Sequence, residues 1–456
     1  MRTWIKNPLA VWTGNDTSAN NGIVVEGGTI VELLDGGASP VYRVDAEFDA
    51  SDLVVLPGLV NCHHHFYQTL TRAFPLALDK ELFPWLVALY PVWAGLDDEC
   101  IAISTELALA ELMLSGCSTS SDHHYVFTDR IATAIDVQVA VAKRLGARVV
   151  LTRGSMSLGK SNGGLPPDRV VQDADIILAE SERLISDYHD PERNAFIQIA
   201  LAPCSPFSVT PELMRDSAAI ARQHGVLLHT HLGETEDENE FCRSRFGKRP
   251  LEYLAELGWL NDDVWLAHGI HFDDDEVARL GAAATGIAHC PSSNMVLASG
   301  ICRVGDLEAE GAPVGLGVDG SASNDCSNMM QEVRQAFLLQ RIRAGADSIS
   351  HNDALRWGTQ GGARVLRRAD IGSLAPGQCA DLALFDLEEL RFSGSGDPVA
   401  ALVLCGAHRV RHLMIGGEWR VTNGEIPGVD LGKLRSEHRR SAARLAETAA
   451  AAGAGG

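Results

Sequence analysis

Hydrophobic and polar positions change rhythm twice along this chain. Through residues 1–57, short β-branched runs such as "GIVVEGGTIVELLDGG" (22–37) and "ASDLVVLPG" (50–58) alternate with Gly, Asn and Asp turns, the pattern of a small antiparallel sheet. From residue 58 short apolar runs are separated by long helical patterns, among them "DDECIAISTELALAELMLSG" (97–116), "RIATAIDVQVAVAKRLGA" (130–147) and "TPELMRDSAAIARQHG" (210–225). Strands that alternate with helices imply βαβ units and a parallel sheet.

Eight candidate strand ends follow in order, at 55–65, 117–124, 147–154, 196–205, 226–234, 263–271, 284–294 and 312–323. Eight such units predict a closed barrel. After residue 366 the β-rich pattern returns in "GSLAPGQCADLALFD" (372–386) and "RVRHLMIGGEWRVTNGE" (409–425). The expected fold class is therefore α/β, a (β/α)8 TIM-like barrel with a small β-sandwich built from both chain termini. Residues 1–57 and 367–430 would form the sandwich, 58–366 the barrel, and 431–456 a C-terminal helix and a flexible tail, "AAAAGAGG".

Charge narrows the partners. The chain carries 38 Lys and Arg against 60 Asp and Glu, a net charge of -22, which repels a phosphate backbone and argues against a nucleic-acid polymer. Its one basic cluster, "GKLRSEHRRSAARLAE" (432–447), reads as a surface helix with Leu and Ala on one face. The N-terminus lacks the apolar core of a signal peptide and no apolar run is long enough to span a bilayer, so a cytoplasmic protein with no membrane partner is expected. Ten cysteines without a C-x-x-C pair are expected to be reduced and mostly buried.

Active sites of such barrels lie where strands end at the carboxyl face. Ligand-type residues gather at those ends here: His63, His65, Asp122, His123, His124, Arg153, His229, His231, Glu234, His268, His289 and Asp319. Within "NCHHHFYQTL" (61–70), strand alternation puts His63 and His65 on one face, about 6–7 Å apart at Cα, and turns His64 toward the helix layer. Two imidazoles so placed can converge on one divalent ion. "HTHLGETEDE" (229–238) supplies a third ligand, His231 or, on the same face, His229; Glu234 lies past the strand end, placed to move a proton. Asp319 in "GLGVDGSAS" offers an anionic ligand and an acceptor for a proton from activated water, and His268 in "LAHGIH" can orient that water. Gln68, Arg72, Trp85, Arg153 and His123 are the candidate substrate contacts: amide and guanidinium groups read a polar ring edge and an indole stacks on its face. Trp85 is equally open to ordinary packing, Arg153 to anchoring a loop and Gln68 to capping a helix.

"PGLVNCHHH", "HTHLGETEDE", "LAHGIHF", "HCPSSNMVL", "GLGVDGSASND" and "GSLAPGQCADLALFD", in this order over nearly the whole chain, resemble the amidohydrolase superfamily, most closely its mononuclear deaminase and chlorohydrolase branch. The resemblance implies one zinc or iron ion, zinc first, held by His63, His65, His231 and Asp319, with Glu234 shuttling protons and His268 polarising water or substrate. The choice of His231 over His229 rests largely on that family's H-x-x-E spacing. The fourth strand end, "IALAPCS", lacks the lysine that bridges two ions in binuclear members, which implies a single ion. "NCHHHFYQTLTRAFP", "SDHHYVFTD" and "TRGSMSLGKSNGGLPPD" carry the likeness to members that deaminate purines. They imply hydrolytic deamination of a small heteroaromatic substrate, 8-oxoguanine to urate and ammonia, with guanine, S-adenosylhomocysteine or adenosine, and hydroxytriazines as alternatives. Barrels of this size commonly self-associate, so a homo-oligomer is expected. A catalytically dead barrel acting as a scaffold is the remote alternative.

Overall fold

The computed structural model describes residues 1–453. Eight strands, Leu59–Asn61, Cys117–His124, Arg148–Ser155, Ile197–Pro203, Leu228–Leu232, Val264–His268, Gly286–His289 and Val314–Leu316, pair in chain order, all parallel, and close through Leu316 opposite Asn61. Seven fall within the strand segments expected from the hydrophobic pattern, and the third, Arg148–Ser155, runs one residue past its expected segment, 147–154. The helices between them show the usual start signals: Asp97 accepts from the Cys100 N–H ahead of Asp98–Leu114, and Thr210 accepts from the Leu213 N–H ahead of Pro211–His224. Asp273 and Glu276 form a reciprocal capping box at Asp274–Ala282.

Two sheets lie beside the barrel. One is entirely N-terminal, in the order Thr29–Leu34, Gly22–Glu26, Arg2–Lys6, Ala46–Asp49. The other mixes both ends of the chain, in the order Glu418–Val421, His412–Ile415, Leu382–Asp386, Leu53–Pro57, Ala10–Val11. Ile5, Ile23, Val25 and Ile30 from the first meet Val55, Leu382, Leu384 and Met414 from the second in one apolar core. Strand Leu53–Pro57 runs through a single residue, Gly58, into the barrel strand Leu59–Asn61, which leads to the histidine run. A Cβ at Gly58 would collide with the Ser118 side chain, so only glycine lets the chain pass from sandwich to barrel here.

The C-terminal helix, Leu431–Gly453, extends into the segment expected as a tail; residues 454–456 of that segment lie outside the described residues. Its basic face is only half the story. Leu434, His438, Ser441 and Leu445 are buried, and His438 meets Thr69 at 3.0 Å, so the helix packs on the barrel as well as facing water. The ten cysteines are free and eight of them are buried. No helix among the described residues is long and apolar enough to cross a membrane.

A buried ion pair joins the two parts. Arg148, which opens the third barrel strand, donates from Nη2 and Nε to the Asp381 carboxylate at 3.1 and 3.3 Å, and Asp381 also accepts from the Gly416 N–H at 2.7 Å. Asp381→Ala strands a buried guanidinium and is expected to destabilise the protein by about 3–5 kcal/mol, read as a lowered urea midpoint, whereas pairing Arg148→Met with Asp381→Leu should recover much of the loss. An unchanged midpoint in the single variant would remove the pair from the joint.

Candidate active site

The strand ends bring His63, His65, His231, Glu234, His268 and Asp319 together at one rim, all of them buried. Small residues make the approach possible: a Cβ on Gly317, in the turn after the last strand, would sit 2.7 Å from the Cβ of His63. The Asp319 N–H donates to the His63 carbonyl at 3.0 Å, tying that turn to the histidine run. His268 and Asp319 hold left-handed backbone, with φ of 74° and 61°, a conformation that costs about 1–3 kcal/mol at non-glycine residues and gathers at functional sites.

The proton positions of two of the imidazoles follow from their partners. His65 Nδ1 is 2.6 Å from the His123 carbonyl and His231 Nδ1 is 2.7 Å from the Cys204 carbonyl. A carbonyl only accepts, so both Nδ1 atoms carry hydrogen and, in neutral rings, both Nε2 atoms are bare. Those bare atoms nonetheless face each other at 3.2 Å. His63 Nε2, buried and without a hydrogen-bond partner, lies 3.3 Å from Asp319 Oδ1, and His65 Nε2 lies 3.3 Å from the same oxygen. Burial holds His63 and His231 well below the usual histidine range, so both are neutral; for His231 the neighbouring His65 and His268 act in the same direction. Lone pairs and a carboxylate crowded this closely repel unless a cation lies between them. Donors at about 2.0–2.1 Å from a tetrahedral zinc ion stand about 3.3–3.4 Å apart, so these separations fit such an ion.

His268 closes the rim on the other side. Its Nδ1 lies 2.9 Å from Asn294 Oδ1, and its Nε2 faces Glu234 Oε2 at 3.5 Å and Asp319 Oδ2 at 3.9 Å. Burial, with the charge of Asp319 adding to it, raises the Glu234 carboxyl well above the usual carboxylate range, which leaves it protonated. Glu238, buried beneath, accepts the Gly233 and Glu234 N–H groups at 2.6 and 3.2 Å and so holds the turn that presents Glu234.

These groups open into a small, partly enclosed pocket, too narrow for a polymer. Its walls are largely apolar: Leu82, Trp85, Leu86 and Tyr90 from the helix Leu82–Trp93, with Tyr125, Phe207 and Leu297. Gln68 and Trp85 line it as expected candidates. Gln68 Oε1 is buried and unpartnered there, while Trp85 Nε1 donates to the Ala322 carbonyl at 3.1 Å and ties the covering helix to the loop beyond the last strand.

Three expected substrate contacts are placed elsewhere. Arg72 pairs with Glu111 and reaches Ser321 at 3.3 Å, outside the cavity. Arg153 lies 3.8 Å over the Phe127 ring and donates to Gln172 Oε1 at 2.8 Å and to the Gly154 carbonyl, anchoring a loop. His123 does not line the pocket but offers a ring nitrogen within 4.8 Å of ligand atoms of His63, His65 and His231; its Nε2 is 2.9 Å from the Ala202 carbonyl and its ring is stacked on His231. Asp122 spends its carboxylate on the Phe66 N–H and on Gln138, at 2.6 and 2.7 Å. Tyr125, Phe207, Leu297 and Ser323 are cavity residues that sequence reasoning missed. Tyr125 lies one residue beyond the polar end "SDHH" of the second strand, Leu297 ends the stretch "HCPSSNMVL", and Ser323 closes the expected eighth strand segment.

Known proteins match this chain over most of its length. Residues 54–420 match the model of the Amidohydrolase family. The chain is 60% identical to the 8-oxoguanine deaminase of Pseudomonas aeruginosa over 444 residues, 97% of this chain and 99% of that protein. It is 40% identical to the hydroxydechloroatrazine ethylaminohydrolase of Pseudomonas sp. strain ADP over 83% of this chain and 80% of that protein. The crystal structure of atrazine chlorohydrolase from Arthrobacter aurescens TC1, complexed with zinc, superposes with a TM-score of 0.92 at 30% identity, covering 96% of this chain and 100% of that one. Barrel, rim histidines and full-length likeness agree that this chain belongs to the amidohydrolase family.

Proposed function

We propose that this protein is a metal-dependent deaminase that converts 8-oxoguanine and water to urate and ammonia. The observation that carries the substrate is the 60% identity, over 97% of the chain, to a protein named for that activity. His63, His65, His231 and Asp319 are the proposed ligands of one divalent ion. Zinc is the proposed ion because nitrogen and oxygen donors at these separations suit it; ferrous iron is the alternative the same donors accept. When bound, the ion supplies Lewis acidity that brings the pKa of water from 15.7 toward about 7.

The protein's own groups divide the proton work. His268, its Nδ1 held toward Asn294 Oδ1, leaves Nε2 to accept a hydrogen bond from the attacking water and orient it. Asp319 takes one proton from that water as its oxygen bonds to the ring carbon bearing the amine. Glu234, protonated through burial, gives its proton to the adjacent ring nitrogen. As the tetrahedral centre collapses, Glu234 takes back the hydroxyl proton, Asp319 delivers its proton to the amine, the carbon–nitrogen bond breaks and ammonia leaves. Gln68 offers its unpartnered amide oxygen to the N–H edge of the ring, and the apolar wall around Trp85 and Phe207 covers the ring faces. The same reading makes this a cytoplasmic enzyme acting on a free small molecule, and a homo-oligomer.

Among 8-oxoguanine, guanine, isocytosine, adenosine and hydroxydechloroatrazine, 8-oxoguanine should be consumed fastest, followed by ultraviolet loss and ammonia release. Faster loss of the triazine with release of ethylamine would move the reading to the alkylamine branch. Stripping with a chelator should abolish turnover and one equivalent of zinc should restore it, with elemental analysis of the purified protein identifying the native ion. Glu234→Gln should keep its metal and lose about 10²–10⁴-fold in kcat, whereas retained turnover would take Glu234 out of the proton path.

A further inference from the structure

His229 shares a strand and a face with His231 but does not line the cavity. Its Nδ1 lies 2.9 Å from the Trp265 carbonyl, so that nitrogen carries the hydrogen and Nε2 of the neutral ring is an acceptor. That acceptor is 2.8 Å from His63 Nδ1, which must therefore be the donor. The His229 ring is also stacked on the Trp265 indole, centroids 4.2 Å apart and 9° from parallel. Trp265 Nε1 donates to the carbonyl of Cys62 at 3.0 Å, and Cys62 is the residue before His63. Cys62, Trp265, His229 and His63 thus close a ring of interactions beneath the rim.

His65 and His231 have their Nδ1 protons held by main-chain carbonyls, which no substitution removes. His63 alone depends on a side chain for this. We propose that His229 is a positioning residue that holds His63 in the Nδ1–H tautomer and aims its bare Nε2 at Asp319 and the ion. The inference rests on the reading of His63 as a metal ligand. Without an acceptor at His229 Nε2, the His63 proton is buried unpaired at Nδ1 or moves to Nε2 and blocks ligation.

The test measures zinc affinity by competition with a chromophoric chelator in wild type, His229→Phe and His229→Gln. His229→Phe should weaken zinc binding about 10–100-fold and His229→Gln, whose amide oxygen can replace the acceptor, by no more than about threefold. Equal affinity in wild type and His229→Phe, or equal loss in both variants, would overturn the proposal, the second result marking His229 as a packing residue. Ring 15N shifts of metal-free wild type, with His63 assigned by the signal lost in His63→Gln, should place the His63 proton on Nδ1. A proton on Nε2 would overturn the proposal even where His229→Phe fails to fold. If wild type itself takes up no divalent ion, the ligand reading fails instead, while the tautomer measurement still judges the role of His229.

Discussion

Bare imidazole nitrogens do not approach one another in a protein interior without something positive between them. Here His65 and His231 face each other at 3.2 Å through nitrogens whose rings have already committed their protons to carbonyls, and His63 turns another toward Asp319 at 3.3 Å. The desolvation that keeps His63 and His231 neutral is the same desolvation that makes the uncompensated arrangement costly. Much of the surrounding structure serves this convergence. Glycine at 317 lets the last strand close against His63, main-chain carbonyls orient two rings, and the left-handed backbone of Asp319 and His268 aims their side chains at the centre.

Burial also separates the carboxyl groups by task. Asp319 lies among the nitrogens, where the proposed ion would keep it charged, while Glu234 lies where burial and the charge of Asp319 favour its protonated form. Two carboxyl groups in one small cavity therefore begin in opposite protonation states, which is what a reaction that both removes and delivers protons requires. The apolar helix Leu82–Trp93 and Phe207 strengthen that division by keeping bulk water away from the rim. Amidohydrolase relatives at 60% and 40% identity carry names with different leaving groups, ammonia and ethylamine. A centre that activates water is indifferent to that distinction, so the cavity wall is where such specificity has to reside.

The sandwich bears on the same centre indirectly. Its strand Leu53–Pro57 is continuous through Gly58 with the strand leading to His63, and the buried Arg148–Asp381 pair fixes it to the third strand of the barrel. The His63 and His65 pair therefore starts from a main chain held on two sides.

Local patterns were enough to read the barrel and much of its rim. A strand buries one face in the barrel, so alternation alone pairs His63 with His65, and eight apolar runs, seven of them ending in ligand-type residues, indicate both the strands and their carboxyl ends. The same alternation could not separate His229 from His231, because both point inward. Strand pairing sets them at different heights, His229 beside Trp265 and His231 beside Ala267, and only the higher one reaches the cavity. Nor could it place Arg72, Arg153 or His123, whose partners Glu111, Gln172 and Ala202 lie 39, 19 and 79 residues away in the chain. The identity and periodicity of residues determined which elements form and which groups face inward. Depth in the barrel, the partner that captures each guanidinium and the nitrogen that carries each proton were decided by tertiary structure, because each depends on contacts between strands and loops remote in sequence.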